Sequence, residues 1–209
     1  MPENEGKGQL TARTREETAR TPGLETSRLL FRPWKKNKSD AKELYRYAKD
    51  ARVGPAAGWR VHKDPAESLA VIRDILSTPG IYAVVLKETG KPIGAAGLTW
   101  GSTGRKYLKA DEAEIGYWIG VPWQGKGFAT EAVRALIRFA FEQLRFQTLW
   151  CAWYEGNTAS ARVQEKCGFV YDHTDPASAG AALGEVRTEH FMKLTREQWE
   201  QEGYSYAFR

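Results

Sequence analysis

Residues 112–144 read EAEIGYWIGVPWQGKGFATEAVRALIRFAFEQL, and this stretch decides the fold. Glu112–Ile119 has the composition of a strand. Val133, Leu136, Ile137, Ala140 and Leu144 then recur at helical spacing, which gives the following helix one core face. Between them lies Gln124-Gly125-Lys126-Gly127-Phe128-Ala129. The first four N–H groups of a helix lack internal acceptors, and the helix dipole places partial positive charge there. Two glycines let the backbone approach a bulky anion, and a pyrophosphate suits such a cradle. The dinucleotide fingerprint G-x-G-x-x-G is excluded, because Thr130 stands where its third glycine would be; a G-x-x-x-x-G-K-S/T run is absent. Taken alone, the two glycines are a modest signal, and a plain tight turn is the lesser alternative.

Working outward, strands and helices alternate. Arg28–Phe31 reads as a strand stopped by Pro33. Ser39 or Asp40 is expected to cap a helix running to about Asp50, and Asp64-Pro65 to open a second through Leu76. Ile81–Lys87 and Ile93–Trp100 form a hairpin around Glu88-Thr89-Gly90-Lys91. Gly101–Lys109 is a polar loop. After the long helix come the strand Thr148–Tyr154, a helix Thr158–Cys167 ended by Gly168, and two closing strands, Phe169–Asp172 and Val186–Leu194. The pattern predicts a mixed α/β or α+β sheet protein. Residues 1–22 are polar and nearly free of large apolar groups, so they are expected to be a disordered extension, with one domain over 23–209.

Composition removes several classes. No apolar run approaches the roughly 18 residues of a membrane-spanning helix. Two cysteines, Cys151 and Cys167, make no disulfide scaffold, and with three scattered histidines they make no metal site. The formal charge of +5 is mild, and basic residues alternate with acidic ones, which argues against direct nucleic-acid binding. Residues 1–22 hold no hydrophobic stretch for secretion, so a cytoplasmic location is expected, with no membrane partner.

Downstream, Asn157, Ser160 and Gly168-Phe169 surround the short helix. Asn157 and Thr158 are plausible caps. Q-x-x-G-x-A opening a helix, a strand, then N-x-x-S and G-F at this spacing resembles the GNAT acetyltransferase superfamily, from about Leu24 to about Trp199. LETSRLLFRPW, AEIGYWIGVPWQGKGFATEAV and NTASARVQEKCGF are similar to the branch of ribosomal-protein N-terminal alanine and serine acetyltransferases. The resemblance implies a central, mostly antiparallel twisted sheet with splayed middle strands and flanking helices. It implies acetyl-CoA as co-substrate, with the pyrophosphate held by Gln124, Gly125, Lys126, Gly127, Phe128 and Ala129, and Thr130 adding a hydroxyl. Pantetheine would slot between Glu112–Ile119 and Thr148–Tyr154, pairing with the backbone near Tyr117, Trp118 and Ile119, with Asn157 binding or orienting it. A backbone N–H there would stabilise the oxyanion.

The implied chemistry is direct attack of a primary amine on the thioester. Glu114 is the leading candidate base, on one strand face with Glu112, Gly116 and Trp118; Glu185 is a second candidate. Many superfamily members carry a tyrosine acid seven residues after the asparagine. Gln164 stands there, and Ser160 is expected to take over. Cys151 and Cys167 read as small buried residues rather than acyl carriers. Trp34, Trp59, His62 and Trp100 are candidate acceptor contacts, with GWRVH as a lid and Gly101–Lys109 as a gate. Aromatic residues of this kind are more often core. The acceptor is expected to be a protein N-terminus. A small-molecule amine, a non-catalytic acyl-CoA-binding module and a ribosome-associated protein are the alternatives, and the chain is expected to be a monomer or homodimer.

Overall fold

The structure is a computed structural model that describes residues 10–20, 22–105, 108–180 and 183–201. Its seven strands are β1 (Leu29–Arg32), β2 (Ile81–Leu86), β3 (Lys91–Thr99), β4 (Glu112–Ile119), β5 (Thr148–Tyr154), β6 (Val170–Gly180) and β7 (Glu185–Thr195). They form one sheet in the order β1-β2-β3-β4-β5-β7-β6. Every neighbouring pair is antiparallel except β4 with β5. The helices are α1 (Ala12–Arg20), α2 (Lys38–Ala48), α3 (Pro65–Val71), α4 (Phe128–Glu142), α5 (Thr158–Lys166) and α6 (Arg196–Gln201).

Two apolar clusters sandwich the sheet. On one side α4 buries Val133, Leu136, Ile137, Phe139 and Ala140 against Ile115, Ile119 and Leu149. Full burial of one such side chain contributes roughly 1.5–3 kcal/mol. On the other, α2 packs Ala41, Leu44 and Ala48 with Trp34, Ile72 and Val85. Along β4 the alternation assigns Ile115, Tyr117 and Ile119 to the α4 side and Glu114, Gly116 and Trp118 to the α2 side.

Two local expectations change. Asn37, not Ser39 or Asp40, caps α2, its Oδ1 accepting from the Asp40 N–H at 2.9 Å. Asp40 is instead buried and receives a two-pronged bond from Arg32 at 2.6 and 2.9 Å. The closing strands run longer than expected, pairing through to Gly180↔Glu185 as a two-stranded arm.

The polar N-terminal segment is also not disordered from residue 10 onward. Residues 1–9 and 21, part of the same expectation, lie outside the described residues. Helix α1 docks with little apolar surface. Arg15 is buried, donates to the carbonyls of Leu144 (2.9 Å) and Ala110 (2.7 Å), and lies 4.4 Å above the Phe146 ring. Tyr82 adds a hydroxyl bond to the Ala19 carbonyl at 2.8 Å. Hydrogen bonds and a cation–π contact do here what an apolar stripe does elsewhere.

Candidate active site

The pairing of β4 with β5 stops after four residues, at Ile115↔Cys151. Beyond it β4 stays paired to β3 as far as Ile119↔Gly94, and β5 to β7 as far as Tyr154↔Glu189. The two strands therefore diverge, and a cleft of about 510 Å³ opens between them. Gly116–Ile119 and Ala152–Tyr154 line its walls. A Cβ built on Gly116 meets nothing within 4 Å, so this glycine keeps the wall open.

At one end of the cleft stands the glycine loop. Gly125 (φ +73°) and Gly127 (φ +81°) both occupy the left-handed region, which a side chain would strain. The helical ladder of α4 begins only with the Glu131 N–H, which donates to Gly127 O. The N–H groups of Gly125 through Thr130 have no acceptor among the described residues. They form an anion nest at a helix N-terminus. Arg28 braces the loop, donating to Lys126 O at 3.1 Å and pairing with Glu131. Gln124 turns its amide to Ile119 O (2.8 Å), tying the loop to the end of β4. Gly125, Gly127, Phe128, Ala129 and Thr130 line the cleft, whereas the exposed Lys126 turns its ammonium to the Trp123 ring, 5.1 Å away.

Near the point of divergence the cleft holds Glu114. Arg105 donates from Nε to both Glu114 oxygens (3.2 and 2.9 Å) and from its two Nη atoms to Glu189 (2.8 and 2.5 Å). Ser178 Oγ donates to Glu189 as well, at 2.5 Å. Burial pushes the Glu114 carboxyl above its ordinary value, the Arg105 charge pulls it back, and Glu189 adds to the upward push. Glu114 is thus no solvated edge residue. Arg105 and Glu189 were missed by sequence reading, which had marked only the loop of the one and the strand of the other. Glu185 is exposed at the start of β7, paired with Arg187, and does not line the cleft.

On the α5 side, Asn157 caps the helix, accepting from Ser160 N–H (3.2 Å) and donating to Ala56 O (3.0 Å). Ser160 Oγ lies 2.9 Å from Tyr117 Oη and 3.1 Å from Gln164 Nε2. Burial raises the Tyr117 phenol well above its usual value. Both thiols are buried and shifted up by burial, Cys167 to about 12, so neither is poised as a nucleophile.

The four acceptor candidates separate. Trp34 and Trp100 are core residues: the first lies with α2, the second edge-on to Phe146 at 5.7 Å. His62 is buried, with Nδ1 2.8 Å from Ser68 Oγ. Trp59 packs edge-on against Trp118 (5.9 Å), behind the cleft wall rather than in it. An aromatic residue type does not distinguish a core position from a cleft position.

Comparison with known proteins fits this geometry. The Acetyltransferase (GNAT) domain family matches residues 28–170, more than half of the chain. An uncharacterised N-acetyltransferase, p20, of Bacillus licheniformis is 31% identical over 153 residues, covering 70% of this chain and 81% of that protein. The Bacillus subtilis protein YdaF, provisionally named a ribosomal N-acetyltransferase, is 35% identical over 92 residues, 44% of this chain. The match spans about half of YdaF, 49% of its length. The solved structure of the aminoglycoside acetyltransferase AAC(6')-Ib in complex with coenzyme A superposes with a TM-score of 0.64 at 19% identity, covering 83% of this chain and 98% of that one. The chain belongs to the GNAT acetyltransferase family, whose members use acetyl-CoA as co-substrate.

Proposed function

We propose that this chain transfers an acetyl group from acetyl-CoA to a primary amine, and that the amine is the α-amine of a protein or peptide N-terminus. One observation carries the reading: a single cleft runs from a nest of N–H groups without acceptors among the described residues to the largely desolvated carboxylate of Glu114. Acetyl-CoA supplies an activated acetyl thioester. The N–H groups of Gly125 through Thr130 hold its diphosphate, and the diverging edges of β4 and β5 take the pantetheine arm. A backbone N–H of the Tyr117–Ile119 stretch faces the thioester oxygen, a donor of a kind that contributes about 3 kcal/mol to the transition state. Glu114 receives the amine proton, directly or through one water. Ser160 faces the sulfur in place of a tyrosine.

The α-amine is favoured by elementary acidity. With a pKa near 8, roughly a tenth is neutral at pH 7, and a base whose oxygens are shared with Arg105 suffices. A lysine near 10.4 demands more. The provisional name of YdaF supports the same reading. A second reading, a small polycationic amine, draws on Glu114 and Glu189 lying in one cleft and on the fold shared with an aminoglycoside acetyltransferase.

Thiol release from acetyl-CoA, followed with peptides beginning in alanine or serine and with polyamines and aminoglycosides, separates the two. Peptide-dependent release supports the first reading; release with the small amines alone selects the second. Glu114→Gln is expected to lower turnover about a hundredfold or more while acetyl-CoA affinity stays within about twofold. Unchanged turnover removes Glu114 from the mechanism.

A further inference from the structure

Basic and acidic residues alternate along the chain, but on the surface of α2 they separate. Ala41, Leu44 and Ala48 seat this helix on the sheet. On its opposite face Lys38, Lys42, Arg46 and the C-cap residue Lys49 are all exposed. At 3.6 residues per turn they fall within an arc of about 80°, along about 16 Å of helix axis. Lys35 and Lys36, also exposed, lead into the stripe.

The acids of the same stretch are withdrawn. Asp40 is buried on Arg32, Glu43 is mostly covered and faces Arg46 at 3.4 Å, and Asp50 is held by Arg52. On the adjoining α3, Asp64 and Glu67 accept from backbone N–H groups. Lys35, Lys36, Lys38, Lys42 and Lys49 have no ion pair among the described residues. These lysines alone equal the whole formal surplus of +5, gathered within residues 35–49.

The character of the stripe narrows its partner. No large apolar side chain of α2 is exposed among the described residues, so the face has nothing to insert into a lipid layer. Tyr45 is half-buried, with its hydroxyl bonded to Lys63 O at 3.0 Å and the Lys49 ammonium over its ring, so no aromatic platform stands ready for an unpaired base. Lysines are hydrated point charges without the fork that reads a base edge. Members four residues apart stand about 6 Å from one another, which suits a row of phosphates rather than a base sequence. In an A-form duplex the deep, narrow major groove brings two such rows together, and a straight stripe that enters no groove can meet both. The major groove of B-form DNA, about 12 Å wide, holds its rows further apart.

We propose that the exposed face of α2 docks on the phosphate backbone of double-helical RNA. Arg52 and Val53, directly after α2, line the active-site cleft. An acceptor protein carried on the same RNA would find the cleft at the end of the stripe. That consequence rests on the peptide-acceptor reading; the charge of the stripe does not.

The test uses the full chain without acetyl-CoA, so its outcome is independent of the transfer reaction. Fluorescence anisotropy follows a labelled RNA duplex between about 50 and 200 mM salt. Binding should be on the order of micromolar at the low end, and log K should fall against log salt with a slope of about −3 to −4. Lys38→Glu/Lys42→Glu should weaken binding at least tenfold and make the slope shallower by about two. Lys87→Glu/Lys91→Glu, exposed around the β2–β3 turn, changes the net charge equally and should leave affinity within about twofold. If the glutamates unsettle α2 in a melting curve, Lys38→Gln/Lys42→Gln should still lower the slope by about two. Equal losses from the two glutamate pairs would mean that net charge alone is read, and would overturn the proposal. So would absence of RNA binding at low salt, or tighter binding to duplex DNA, to vesicles containing phosphatidylserine or to polyglutamate.

Discussion

Arg105 and Glu114, nine residues apart, meet through both carboxylate oxygens of the glutamate, and the same guanidinium spans to Glu189 on β7. A half-buried and a fully buried carboxylate thus share the Arg105 guanidinium, and the sign of the consequence follows. Glu114 acts as a base only when ionised. Its pKa already lies above the ordinary value because of burial, so activity should fall on the acid side at a higher pH than a solvated glutamate would give. Arg105→Gln removes the charge that pulls this pKa down and leaves Glu189 opposing ionisation. The acid limb of kcat/KM against pH should therefore move to higher pH, and turnover at neutral pH should fall toward that of Glu114→Gln. A pH–rate profile with an unmoved limb contradicts the assignment.

Gly116 gives a separation of folding from binding. It lies in the cleft wall with free space around its Cβ position, and its backbone is not in the left-handed region. Gly116→Leu should leave the fold intact, with stability equal or higher by about 0.5–1 kcal/mol, since a side chain favours strand over coil. The new side chain would fill the gap, weakening acetyl-CoA binding by at least about tenfold. Thermal melts and calorimetry on the same sample check both halves; undiminished affinity would mean the ligand lies elsewhere.

Neither cysteine should matter to the chemistry. Cys151 donates to Ile115 O at 3.3 Å and Cys167 to Thr130 O at 3.7 Å, both inside the core. Iodoacetamide at neutral pH should leave the native enzyme unlabelled by mass and fully active. Cys151→Ala and Cys167→Ala should retain turnover at a cost of about 1–2 kcal/mol in stability each. A variant that still folds but no longer turns over would revive an acyl-cysteine route.

Helix α1 should behave as part of the folded body. Arg15→Ala breaks two bonds to carbonyls and the contact with Phe146, a loss of about 2 kcal/mol and a Tm lower by roughly 4–8 °C. Turnover per folded molecule should not change. A melting curve identical to wild type would show that α1 is not held in solution.

How much of this was legible in the sequence depends on whether the information was local. The limits of β4 and β5, and the seat of α4 behind Gly127, follow from composition and periodicity within one window, and the structure reproduces them. The cap at Asn37 is a near miss of two residues. The Arg105–Glu114–Glu189 cluster could not be read, because it joins a polar loop, a central strand and the penultimate element. Only the β5–β7 register, which sets Tyr154 opposite Glu189, brings that last carboxylate to the cleft. Helix α1 escaped for a different reason. Its docking uses arginine and main-chain carbonyls, and a hydrophobicity pattern is blind to both. Trp34 and Trp100 fall in the core, as aromatic residues more often do, and partners distant in the chain decide it: Ile72 and Val85 for the first, Phe146 for the second.

The brief pairing of β4 with β5 has one more consequence. A ladder of only four residue pairs joins a four-stranded half, β1 through β4, to a three-stranded half, β5 through β7. A guest threaded into the fork would act as a dowel across two hinged panels, setting their relative tilt while it satisfies their exposed amides. In such a body, gripping the guest and stiffening the panels are the same event.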